Sequence, residues 1–176
     1  VRSYAMYAAA DHAAAAAGGR RCTAARLGAV PALYQIELAG AAPETVIAEF
    51  LRHRLGQEEE GESFGAADRL FFAELVRGAA GRQDDLDRMI TAALTPDWPL
   101  ARLEAVLRAV LRLGAYELLA EAEVPATVVI SEYLDVAHAF FAGKEPGLVN
   151  GVLDRLARTL RPEDLAESPR GGDAPQ

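Results

Sequence analysis

An all-α bundle of about seven helices is the fold this sequence predicts, on three observations. Apolar residues recur at helical spacing in one segment after another, strand-like alternation is nearly absent, and the links between periodic segments are short and rich in Pro and Gly. The chain has 176 residues, 51% of them apolar, which is material enough for the core of one domain of ordinary size. Helices striped in this way are stable when each stripe is buried against its neighbours.

The first helix is marked by Val30, Leu33, Tyr34 and Leu38 and closed by "AGAAP". Pro31 lacks an amide proton and clashes with the carbonyl of Leu27, at a cost of about 3 kcal/mol inside a helix. Gly28 loosens the same turn. The helix is therefore expected to kink or to begin near residue 30, leaving the residues before it on a flexible arm. Pro43 suits the first turn of a second helix, "PETVIAEFLRHRL", and "GQEEEGESFG" reads as a solvated acidic loop. Phe72, Leu75, Val76 and Ala79 define a third helix. Leu86, Ile90 and Leu94 define a fourth, with Asp84, Asp85 and Asp87 in its first turn, where the helix dipole favours negative charge.

After the break "TPDWP", the fifth helix carries the strongest amphipathic pattern: Leu103, Val106, Leu107, Val110, Leu111, Gly114 and Leu118. A sixth starts near Pro125 and faces its core with Val129, Tyr133, Val136 and Phe140. The seventh follows "KEPG" and is striped by Val149, Val152, Leu153, Leu156 and Leu160. Its Asn150-Gly151 pair falls in the expected first turn, where Asn caps free amides and Gly lets neighbouring backbones come close. Residues 1–19 form an Ala-rich extension and 163–176 a polar, Gly/Pro-rich tail, both expected to be disordered. The folded domain is expected over 20–162.

Several function classes find no support. No apolar run approaches the roughly 20 residues a membrane span needs, and the start of the chain lacks a secretory pattern. The single Cys22 cannot form an internal disulfide, which suits a reducing cytoplasm. His12, His53 and His138 lack metal-ligand spacing. No Gly-rich phosphate loop, nucleophile elbow or paired-Cys motif occurs. Neither an enzyme nor a cofactor is indicated. The net charge of −8 is unevenly spread: residues 1–36 carry Arg2, Arg20, Arg21 and Arg26 against Asp11, a surplus of three, which leaves −11 for the rest. An anionic partner should meet the N-terminal end first.

The segment "WPLARLEAVLRAVLRLGAYELL" and the run "VPATVVISEYLDVAHAFF…GLVNGVLDRLAR" together resemble the NusB family of transcription antitermination factors. The resemblance rests on Trp98, Leu100, Arg102, Leu103, Arg108, Ala109, Leu111, Arg112, Leu113, Tyr116, Glu117 and Leu118. It continues with Val124, Pro125, Ile130, Glu132, Ala137 and Val149 through Asp154. Upstream, "ALYQIELAG" and "FFAELVRGAAGRQDDLDRMI" are similar to the family's first, third and fourth helices, so that residues 20–162 are covered. The resemblance implies two packed helical subdomains, the first three helices against the remaining four. It also implies a non-enzymatic role: pairing with the small-subunit ribosomal protein NusE, binding boxA RNA of nascent ribosomal transcripts, and joining the RNA polymerase antitermination complex.

Arg26 lies eight residues before Tyr34, where an arginine of the family's basic motif falls, and is the leading RNA-contact candidate. Arg20, Arg21 and Lys144 complete the expected RNA-binding set. Three engaged arginines give a salt slope of about −2, or roughly twentyfold weaker binding between 50 and 200 mM salt. A basic partner is then needed to supply further phosphate contacts. The alternative is a NusB-like protein–protein module whose RNA binding is weakened by the neutral "CTAA" and by Pro31. Related helical domains also precede RNA cytosine methyltransferases, a third reading set aside because no catalytic segment follows residue 162.

Overall fold

Pro31 does not stop the first helix. The computed structural model describes residues 22–53 and 69–166, and α1 runs unbroken through residues 22–39. The expected start near residue 30 is therefore corrected, and Arg26 sits within the helix rather than on an arm. Burial explains the difference: Ala25, Ala29, Val30, Ala32 and Leu33 are all enclosed. Sequestering an aliphatic side chain such as Val or Leu contributes about 1.5–3 kcal/mol, which outweighs the proline penalty. The stripe then ends early, since Leu38 is 72% exposed. Gly40, at φ +61°, takes the left-handed conformation that closes the helix.

The remaining elements are α2 (Pro43–His53), α3 (Arg69–Gly81), α4 (Gln83–Ala93), a 3₁₀ turn (Leu100–Arg102), α5 (Ala105–Ala120), α6 (Ala126–Phe140), α7 (Glu145–Leu160) and α8 (Pro162–Ala166). Among the described residues every regular element is helical, as expected, with the short α8 added to the seven. The chain divides into two compact units, Val1–Arg82 and Gln83–Gln176. The acidic segment "GQEEEGESFG" and residues 1–19 lie outside the described residues.

In the first unit, Ala42 accepts the amide hydrogens of Thr45 and Val46 at 3.1 and 3.3 Å, so Pro43 sits in the first turn where its missing N–H has no cost. Val46, Ile47 and Phe50 of α2 are buried, as are Phe72, Leu75, Val76 and Ala79 of α3. The Phe50 and Phe72 rings stack with centroids 6.0 Å apart. At the rim, Arg77 donates to both carboxylate oxygens of Glu44 at 2.5 and 2.9 Å, and Arg69 donates to the Leu51 carbonyl at 2.8 Å. The hydrogen bond from Arg77 holds the Glu44 carboxyl below its ordinary value. Its small contribution is present at neutral pH and lost as pH falls through the lowered value.

The second unit is built around α5, which α4, α6 and α7 all pack against. Ten of its residues are buried, including Arg112 and Glu117. Arg112 forks onto Asp87 of α4 at 2.7 and 2.9 Å. Gly114 is where α5 comes closest to its neighbours: a Cβ there would lie 2.8 Å from Leu153 Cδ1 and 3.3 Å from Tyr133 Cγ. Phe140, expected on the core face of α6, is 41% exposed.

Two expectations change at the C-terminal end. Helix α7 begins at Glu145, with Pro146 in its first turn, so Asn150 and Gly151 stand in the second turn and cap nothing. Asn150 is exposed, and a Cβ on Gly151 would meet nothing within 4 Å. The close approach expected there belongs to Gly114. Residues 163–166, expected in a disordered tail, are helical because Asp164 has work to do. It accepts the Ala126 amide hydrogen at 2.9 Å and pairs with Arg161 at 3.1 Å. Pro125 offers α6 no side-chain cap, so a distant carboxylate satisfies the free amide. Arg161 also donates to the Ala122 and Val124 carbonyls at 2.7 and 2.6 Å.

The two helical glycines should respond oppositely to alanine. Gly151→Ala is expected to raise stability by about 0.5–1 kcal/mol through helix propensity. Gly114→Ala should lower it by about 1 kcal/mol, because overpacking outweighs the same gain. Urea denaturation of both variants checks this.

Candidate nucleic-acid interface

The two basic residues of the expected set that lie among the described residues differ sharply in surroundings. Arg26, on α1, is only 5% exposed. Its guanidinium carbon lies 5.2 Å from the centre of the Phe71 ring of α3, over the face. That geometry is a cation–π contact of the kind arginine favours. To touch a phosphate, the guanidinium must leave that ring. Arg20 and Arg21 lie outside the described residues.

Lys144 is exposed, directly before α7, with its own backbone near helical values, φ −87° and ψ −12°. Its carbonyl accepts the Leu148 amide hydrogen at 3.2 Å, so the residue is fixed as the helix N-cap. Trp98, Lys144, Glu145 and Leu148 line a cavity of about 240 Å³. Trp98 itself is 47% exposed. Its amide donates to Thr95 at 3.0 Å, closing the turn between α4 and the 3₁₀ element. The structure therefore places Lys144 and Trp98 together in the second unit, while Arg26 belongs to the first.

Trp98 entered the sequence reading only as part of a resemblance, and its exposure was missed. The available signal was a lone tryptophan between two prolines in a helix break, where no helical stripe accounts for it. At the end of α6, Phe140 is exposed and Phe141 half-buried. His53 and His138 are exposed, while His12 lies outside the described residues. No group of three or more potential metal ligands occurs among the described residues. No helix among them is long and apolar enough to cross a membrane.

Comparison with known proteins assigns the fold to a lineage. A family model described as the NusB family matches residues 23–158. The chain belongs to the NusB family. Among curated relatives, the transcription antitermination protein NusB of Nitrobacter hamburgensis is 52% identical over 143 residues, covering 81% of this chain and 89% of the relative. That of Rhodopseudomonas palustris (strain BisB18) is 50% identical over 143 residues, covering 81% and 85%. Among solved structures, T. maritima NusB superposes with a TM-score of 0.66 at 31% identity, covering 84% of this chain and 96% of that one. A structure described as antitermination factors NusB and NusE in complex with dsRNA matches with a TM-score of 0.66 at 25% identity, over 80% of this chain and 98% of that one.

Within this NusB-family chain, Arg26 is expected to behave as a packing residue in stability measurements. Arg26→Ala should lower the unfolding free energy by about 1–2 kcal/mol, from the lost cation–π contact and the lost burial of its aliphatic stem. Arg20→Ala with Arg21→Ala should leave the urea midpoint unchanged. Equal midpoints for the two variants would contradict this assignment.

Proposed function

We propose that this chain acts in the cytoplasm as an RNA-binding antitermination adaptor, pairing with NusE and holding boxA RNA for the RNA polymerase antitermination complex. The observation that carries this reading is membership of a family whose curated relatives are transcription antitermination proteins, at about half identity over most of the chain. The match to a structure described as NusB and NusE with RNA supports the choice of partners. Arg20, Arg21 and Lys144 are the cations offered to phosphate, with Arg26 joining if its side chain swings off Phe71. Lys144 has no ion pair among the described residues, so contact with phosphate breaks no existing bridge.

Charge limits what the chain does alone. The net charge of −8 opposes RNA, and three phosphate contacts provide a salt slope of only about −2. A basic companion protein therefore shares the strand, adding phosphate contacts that the acidic chain lacks. The burial of Arg26 favours one second reading, a protein–protein module with weakened RNA affinity, because it withdraws one cation from the set.

Titration of fluorescently labelled boxA RNA, single-stranded and duplex, separates the two. The adaptor reading predicts tight binding only when NusE is present, weakened several-fold by Arg20→Ala with Arg21→Ala. Binding by NusE alone, equal in affinity to that of the pair, would leave the protein–protein reading standing and remove the adaptor.

A further inference from the structure

We propose that the groove between the C-terminal ends of α4 and α7 docks an acidic amphipathic helix of a partner protein. The helix seats a bulky apolar side chain in the groove and forks a carboxylate onto Arg155. The site uses none of the cations offered to RNA, so it goes beyond the adaptor reading, and its failure leaves that reading untouched.

The first support is the groove itself. Met89, Ala92 and Ala93 of α4, with Leu156 and Leu160 of α7, line a cavity of about 260 Å³. Ala92, Arg155 and Thr159 are exposed members of the lining, so the cavity opens at the surface. An apolar cavity of about 150 Å³ is enough to hold benzene, so this one accepts a Leu or Phe side chain. Two small alanines on α4 leave that room, and Met89 supplies a flexible, polarisable wall that adapts to what enters. A furrow between two helices is a surface on which a third helix lays its apolar face.

The second support is the guanidinium at the rim. Arg155 Nη1 donates to the carbonyl of Ala93, the last residue of α4, at 2.7 Å, which fixes its orientation. Other arginines of the chain show how the remaining donors are used. Arg77, Arg112 and Arg158 each turn the Nε–Nη2 edge onto the two oxygens of one carboxylate, Glu44, Asp87 and Asp154 respectively. Arg155 keeps that edge open, because its one side-chain bond among the described residues is made by Nη1. Two parallel N–H···O bonds from such an edge fit a planar carboxylate and give direction as well as strength.

The third support is the charge around the groove. Arg88 and Arg158, next in sequence to Met89 and Thr159, are already paired with Asp85 and Asp154. Asp87 is taken by Arg112. Arg155 is thus a cation without a carboxylate beside an apolar groove. A partner helix with an acidic residue one turn from a bulky apolar one meets both needs. A phosphate also fits Arg155, yet the lining holds no second cation and no aromatic ring, which an RNA strand would use.

The chain contains two methionines, Met6 and Met89, so a methyl-labelled sample gives two NMR signals, and Met89→Leu identifies the one in the groove. The probe is a synthetic alanine-based helical peptide carrying one Phe and, one turn later, one Glu, compared with its Glu→Gln counterpart. Saturable movement of the Met89 methyl signal, with roughly three- to fivefold weaker binding of the Gln peptide, supports the site. Arg155→Gln should bind the two peptides equally. Ala92→Phe, which plants a ring in the groove and leaves Arg155 in place, should bind neither. Both positions are exposed, and unchanged urea midpoints confirm that the fold is kept. An unmoved Met89 signal, equal affinity of the wild-type chain for the two peptides, or unchanged binding by Ala92→Phe overturns the site. Movement of the Met89 signal by boxA RNA and not by the acidic peptide overturns it as well, and makes the groove part of an RNA surface.

Discussion

The pairing of Arg112 with Asp87 fixes the second unit. Helix α5 is enclosed so thoroughly that a guanidinium lies in the interior, and an isolated buried charge is expensive by several kcal/mol. Asp87 offsets that cost with two hydrogen bonds from the first turn of α4. The constraint propagates. With α4 held to α5, the connecting turn that carries Trp98 is placed by both its ends. Helix α7 packs on α5 through the notch left by Gly114, and its first turn brings Lys144 and Glu145 to that same turn. A stability requirement in the core thus sets the geometry of a surface cavity.

Much of this was legible in the residues. The stripes on α3, α5 and α7 matched their buried faces, because a 3.6-residue period in a helix enclosed by neighbours leaves few alternatives. Where reading failed, a non-local interaction had overridden a local rule. Pro31 is a helix breaker by local chemistry, yet α1 continues because its alanine-rich face is buried. The polar residues after 162 looked like tail, yet Asp164 satisfies an amide of α6 that is 38 residues away in sequence. Asn150 and Gly151 looked like a helix start because the apolar stripe begins at Val149, while the helix itself begins four residues earlier, at Glu145.

The candidate interface was less legible than the fold. Arg26 stood at the right spacing from Tyr34, but spacing on one helix does not reveal that Phe71 of another covers it. Asp87 was assigned to a helix dipole when its larger task is to neutralise Arg112. Lys144 was a candidate in the sequence, but nothing there indicated that Trp98 would line the same cavity. Composition indicates which charges exist; only packing decides which remain free to meet a ligand.

What unites the account is a division of labour between an acidic helical scaffold and a cationic companion around one RNA strand. Its most direct measurement is the salt dependence of RNA affinity for the chain alone and for the chain with NusE. The account predicts a slope no steeper than about −2 for the chain alone, and a distinctly steeper one for the pair, by about 0.7 for each phosphate the companion adds. Identical slopes would mean that the companion neutralises no phosphate, and the shared-strand account would be wrong.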